Sequence, residues 1–148
     1  MATNPPLILD AYWPYHVAVL GDLVARHTAQ IAREHGDLNL SQWRVLAAVG
    51  ELPGRTARDV VDLTPMDKGI VSRAVSALIE RGLMERQAKE NDRRQGSLSL
   101  SLAGAQVYAR IAAELTAAIK PVTHALEDES AFVQALKAAS EAYKELKG

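Results

Sequence analysis

A chain of 148 residues with 48% hydrophobic and 24% charged residues has the length of one ordinary domain and enough apolar material for a core, which excludes a disordered tail and leaves no room for a catalytic module beside a binding module. The absence of cysteine excludes a disulfide framework, a thiolate metal site, a cysteine nucleophile and a thiol redox sensor, and points to a cytoplasmic address. A formal net charge of −1 lacks the basic surplus that many nucleic-acid-binding domains carry, but the balance differs by region. Arg44 to Arg94 holds ten Lys or Arg against eight Asp or Glu, whereas the remainder holds seven against ten.

Residues 1–11 contain Pro5-Pro6 and no cationic stretch ahead of an apolar run, so they read as a flexible arm rather than a secretory signal. No stretch is apolar for the roughly 18 residues that a membrane-spanning helix needs. From Tyr12 to about His35, Val17, Leu20, Val24 and Ile31 recur at helical spacing and predict a long first helix, ended by Gly36. Ser41 then serves as N-cap for a helix carrying Trp43, Leu46, Ala47 and Val49. After a break at 50–55, Thr56 and Asp59 form a capping box that opens a short helix through Val60, Val61 and Leu63. Thr64-Pro65 reads as N-cap and first position of a further helix running to about Arg81, where Gly82 stops it.

The period changes after Gly82. Leu83 to Gln87 reads as a strand, 88–95 as a polar turn region, and Leu98, Leu100 and Leu102 alternate with Ser97, Ser99 and Ser101, so the two runs make a hairpin. The helical period returns from Ala103 through Val107, Ile111, Leu115, Ile119 and Val122, with Pro121 expected to kink or break it, and a last helix uses Phe132, Leu136, Ala139, Tyr143 and Leu146. The acids of Glu127-Asp128-Glu129 suit the positive end of that helix.

Two short helices followed at once by a hairpin are the order of a winged helix-turn-helix. The second short helix has two unlike faces. Val71, Ala74, Val75 and Leu78 form an apolar stripe, while Lys68, Gly69, Ser72, Arg73 and Ser76 form a small, polar, cationic one. A helix entering the major groove needs short side chains where its backbone nears the bases, hydroxyls, and an Arg able to pair with guanine in bidentate fashion. Gly69 costs helix stability relative to Ala, about 1 kcal/mol, so close approach to something explains it better than propensity does. Arg93 and Arg94 on the hairpin tip suit a narrow minor groove, with Asp92 holding an arginine in orientation.

Ser41-Gln42-Trp43-Arg44-Val45-Leu46, Met66 through Val75, Gly82-Leu83, Asp92-Arg93-Arg94 and Leu98 through Gly104, in this order and spacing, resemble the MarR family of winged-helix transcriptional regulators. The resemblance spans Tyr12 to Val122. It implies a mainly α fold: a winged helix-turn-helix at 39–102 with a small β-hairpin wing, and a helical dimerisation region made of the helix at 12–38 and the helices at 103–148. It also implies a homodimer on a pseudo-palindromic DNA operator, acting as a repressor and released by a small aromatic effector bound between the lobes. By the same resemblance Lys68, Gly69, Ser72, Arg73 and Ser76 fall on the recognition helix, and Asp92 and Arg94 are the paired acid and base of the wing, with Arg93 between them. The missing cysteine excludes the peroxide-sensing mechanism of one branch.

Trp43 reads first as a core aromatic and alternatively as an effector contact. Trp13 and His16, beside Tyr12, read as interface packing or as effector contacts, and Arg44 as the partner of an effector carboxylate. No HExxH is present and no two His stand three or four residues apart, so no metal is expected. GxGxxG, the phosphate loop and the GxSxG elbow are absent too, so neither a cofactor nor an enzyme is expected. A reading from another class, a winged-helix adaptor that binds protein without responding to a ligand, stays open.

Overall fold

The computed structural model describes residues 3–89 and 92–146; side chains of residues 88–95 lie outside the description. After a single 3-10 turn at Leu9–Ala11, the elements are α1 (Trp13–Gly36), α2 (Leu40–Glu51), α3 (Ala57–Leu63), α4 (Lys68–Glu80), β1 (Met84–Lys89), β2 (Asp92–Leu100), α5 (Leu102–Ala118), α6 (Lys120–His124) and α7 (Glu129–Glu145). The fold is mainly helical with one antiparallel hairpin, as the sequence pattern implied. The chain divides into two compact units, residues 1–113 and 114–148.

In the first unit the helix starts are set by side chains that satisfy orphan backbone N–H groups. Thr56 and Asp59 form the expected reciprocal box at α3, with Thr56 Oγ1 accepting from the Asp59 N–H at 3.1 Å and Asp59 Oδ2 accepting from the Thr56 N–H at 2.8 Å. At α2 the cap is Asn39, not Ser41. Its Oδ1 accepts from the Gln42 N–H at 2.9 Å while Gln42 Oε1 accepts from the Asn39 N–H at 3.0 Å, an exchange that needs the three-residue spacing Ser41 lacks. Thr64-Pro65 likewise does not open α4. Thr64 ends α3, its hydroxyl donating to the Val60 carbonyl at 2.7 Å, and Asp67 caps α4 by accepting from the Ile70 N–H at 2.8 Å.

Helix α1 ends at Gly36, as the sequence suggests, and the left-handed residue that follows is Asp37, at φ 51°. The glycine is there for space, since a Cβ would sit 2.6 Å from Ile111 Cδ1 and 2.8 Å from Val107 Cγ1 of α5. Strand β2 ends at Leu100, and Leu102, expected to continue the alternation, is the 79% exposed first residue of α5. Ser101 makes the difference: its Oγ accepts from the Gly104 N–H at 3.0 Å and donates to the Gly82 carbonyl at 2.6 Å, so the chain turns into a helix one residue early.

The hairpin pairs Met84 with Leu100, Arg86 with Leu98 and Ala88 with Gly96, with an irregularity between Ala88 and Lys89. The segment read as a plain break adds a short third edge: the Gly54 N–H donates to the Leu98 carbonyl, the Leu98 N–H donates to the Arg55 carbonyl, both at 2.9 Å, and Thr56 bridges Ser97. Leu38, Val45, Leu46, Val49, Val60, Val71, Val75, Leu78, Met84, Leu98 and Ile111 form the core, so the four helices and the hairpin share one apolar centre.

In the second unit α5 gives way to α6, which carries Pro121 in its first turn where a missing N–H costs nothing. Asp128 caps α7, accepting from the Ala131 N–H at 3.0 Å. Among the described residues no helix is long and apolar enough to cross a membrane.

Gly104 is the tightest point of the first unit, because a Cβ there would overlap the backbone carbonyl of Leu83, which cannot rotate away. Gly104→Ala is therefore expected to destabilise the fold by about 1–3 kcal/mol, the usual cost of overpacking, measured as a shift of the urea midpoint.

Candidate nucleic-acid interface

Helix α4 divides as its sequence requires. Val71, Ala74, Val75 and Leu78 are all buried, and Lys68, Gly69, Ser72, Arg73 and Ser76 are all exposed. Nothing in the fold crowds Gly69: an added Cβ would meet Arg73 Nη1 at 3.3 Å and Asp67 Oδ1 at 3.4 Å, and the first is the free end of a long side chain. The glycine is thus not demanded by the packing of this chain, which leaves its outward backbone as the surface that needs the space. Arg73 lies along a cleft it shares with Asn39, Ser41 and Gln42 at the start of α2.

The far end of α4 is tied to α1. Arg81 Nη1 donates to the Asp37 carbonyl at 2.7 Å and Nη2 to the Gly36 carbonyl at 3.2 Å, while Arg110 Nε of α5 donates to the His35 carbonyl at 2.7 Å. Two guanidinium groups therefore satisfy three carbonyls at the C-terminal end of α1, where the helix dipole also favours positive charge. The sequence alone shows Arg81 as a helix end and gives no hint of a contact 44 residues away.

On the wing, β1 and β2 run out to Lys89 and Asp92, further than the sequence suggested. Asp92, Arg93 and Arg94, expected as the tip contacts, have side chains outside the described residues.

Two of the four expected effector contacts come together. Trp43 and Arg44 line a cleft of about 410 Å³ with Glu51, Leu63, Thr64, Pro65 and Tyr108. Trp43 is 8% exposed and stacks on Tyr108, with ring centroids 5.8 Å apart and planes at 19°, so the aromatic is core and cleft wall at once. Tyr108 is absent from the sequence reading although it stands three and seven residues before Ile111 and Leu115, a helical spacing that puts it on the same face of α5; Gly50 lies under its ring, where a Cβ would come within 2.9 Å. Trp13 and His16 do not line this cleft. Trp13 begins α1 and is 53% exposed, and His16 Nε2 donates to the Asp10 carbonyl at 2.7 Å.

Residues 36–95 match the family model described as MarR family. Over 60 residues, 40% of this chain and 42% of the relative, the sequence is 30% identical to the HTH-type transcriptional regulator BilQ of Clostridium symbiosum; the match thus spans less than half of that protein. Among solved structures, the PcaV transcriptional regulator from Streptomyces coelicolor, in complex with its natural ligand, superposes with a TM-score of 0.77 at 19% identity, covering 95% of this chain and 99% of that one. MepR of S. aureus in complex with DNA gives 0.73 at 16% identity, covering 91% and 98%. These matches bear out the family resemblance and the winged-helix fold, and the matched proteins are regulators rather than enzymes.

Trp13 and Trp43 are the two tryptophans of the chain. In a Trp13→Phe background, Tyr108→Ala is expected to red-shift the emission of Trp43 and to cost at least the roughly 0.5–1.5 kcal/mol of an aromatic pair. An unshifted spectrum would show that the stack does not shield Trp43 in solution.

Proposed function

Taking the chain as a MarR-family winged-helix protein, we propose that it is a transcriptional regulator, a repressor, that binds a pseudo-palindromic DNA operator in the cytoplasm as a homodimer. The observation that carries this is the division of α4: Val71, Ala74, Val75 and Leu78 are buried, and opposite them Lys68, Gly69, Ser72, Arg73 and Ser76 form an exposed row of small, hydroxyl and cationic residues suited to base edges. Lys68, Gly69, Ser72, Arg73 and Ser76 are assigned to the major groove, and Asp92, Arg93 and Arg94 to the wing. The exposed Val17, Leu20 and Val24 of α1, and separately Val133, Leu136 and Tyr143 of α7, are apolar surface for a second copy to cover.

The cleft at Trp43 is assigned to a small aromatic acid, with Arg44 pairing its carboxylate and Trp43 and Tyr108 receiving its ring. Trp13 and His16 are assigned to the same effector from the partner protomer. Leu63, Thr64 and Pro65 of the cleft belong to the turn that leads into the Asp67 cap of α4. A ligand seated there presses on the segment that sets where α4 begins, and it releases DNA to the extent that it binds the displaced arrangement more tightly.

The test is a mobility shift with double-stranded DNA. Arg73→Ala is expected to weaken operator binding by about 1–3 kcal/mol and to relax preference at one base pair. Gly69→Ala is expected to leave the melting temperature unchanged or higher and still weaken the complex, because the added methyl meets DNA rather than protein. Wild-type protein that binds no duplex at any salt concentration would instead favour the adaptor reading. Quenching of Trp43 by small aromatic acids in the Trp13→Phe background tests the cleft, and an unresponsive complex would mean a constitutive regulator.

A further inference from the structure

Between α3, α4 and the hairpin lies a second cleft, of about 570 Å³, into which three cations open from three elements: Arg58 of α3, Lys68 of α4 and Arg86 of β1. Asp62 is the one carboxylate among its lining residues. Among the described residues none of the three cations forms an ion pair or a side-chain hydrogen bond. Three positive charges around one cavity repel each other, and that repulsion is lowered when an anion sits between them.

Arg86 is held toward the cleft by the hairpin. It pairs with Leu98, which is fully buried, so the two side chains share the inward face of the sheet. Its aliphatic stem lies across Gly96, where an added Cβ would come within 2.5 Å of Arg86 Cγ and 2.7 Å of Cδ. The glycine is the space the arginine occupies. Lys68 and Ser72 belong both to this cleft and to the exposed row of α4, so the cleft is continuous with the surface assigned to the major groove.

We propose that this cleft grips a phosphate of the DNA backbone beside the groove that α4 enters, with Arg58, Lys68 and Arg86 as its positive walls and Ser72 as a hydroxyl donor. The inference rests on the reading of the chain as a DNA-binding protein. A phosphodiester carries two free oxygens that match a guanidinium fork, and contacts of this kind fix register without reading sequence.

The experiment measures the salt dependence of binding for the full chain on its operator and on a random duplex. Arg58→Ala and Arg86→Ala are each expected to lower the slope of log K against log salt, by no more than the roughly 0.9 that one neutralised phosphate contributes, and to weaken both duplexes by the same factor. Gly96→Ala keeps every charge, yet it is expected to reproduce the loss of Arg86→Ala because its methyl displaces the arginine stem. Arg86→Lys should retain most of the slope, and melting curves establish that each variant is folded. Unchanged slopes in Arg86→Ala and Gly96→Ala, while the wild type binds DNA, would overturn the assignment. Saturable binding of inorganic phosphate to the free protein, lost in Arg86→Ala while the DNA salt slopes stay unchanged, would give the cleft to a soluble anion and overturn the assignment as well. A wild type that binds neither duplex would remove the DNA-binding reading, and this inference with it.

Discussion

Burial of one face of α4 is the constraint on which the rest of the molecule depends. Val71, Val75 and Leu78 are fully buried, each contributing about 1.5–3 kcal/mol relative to exposure, and Ala74 between them lets the neighbouring backbone come close. Once that face is fixed against the core, the rotation of the helix is fixed, and Lys68, Gly69, Ser72, Arg73 and Ser76 face solvent together. Both ends are also held. Asp67 sets where the helix begins, and Arg81 ties its end to the last carbonyls of α1. A shift of α1 therefore reaches α4 through two directional hydrogen bonds as well as through packing.

The near-zero net charge takes on a different meaning once charges are placed. Several acids of the region from Arg44 to Arg94 have local duties: Asp59 and Asp67 cap helices, and Glu51 pairs with Arg55 at 3.0 Å. Arg58, Lys68, Arg73 and Arg86 form no ion pair among the described residues. The cationic surface is thus larger than a surplus of two suggests, and it is gathered on α4 and the cleft beside it. In the proposed dimer such a surface gives modest affinity for any DNA and leaves most discrimination to contacts made by two copies at once.

Much of this was legible in the sequence, and the exceptions share a cause. Element order, the two faces of α4, the Thr56–Asp59 box and the break near Pro121 follow from local periodicity and local hydrogen bonding. The need for space at Gly36 and the helical start at Leu102 are not legible, because the deciding contacts come from residues distant in sequence: Ile111 and Val107 press on the glycine, and Ser101 bonds back to Gly82. Ser41 reads as the cap on residue type alone, whereas the cap is Asn39, which has Gln42 three residues on to complete the exchange. The Trp43–Tyr108 stack and the Arg81 clamp join residues that no pattern in one sequence relates.

On the proposed function this chain presents half of a twofold DNA reader, with α4 as the element that enters the groove. Selection of bound duplexes from a random pool by the full-length protein tests it most directly. The expected result is enrichment of an inverted repeat whose half-sites lie about 10–10.5 bp apart, centre to centre, one turn of the duplex. Enrichment of a single unpaired half-site, or none above the starting pool, would contradict it.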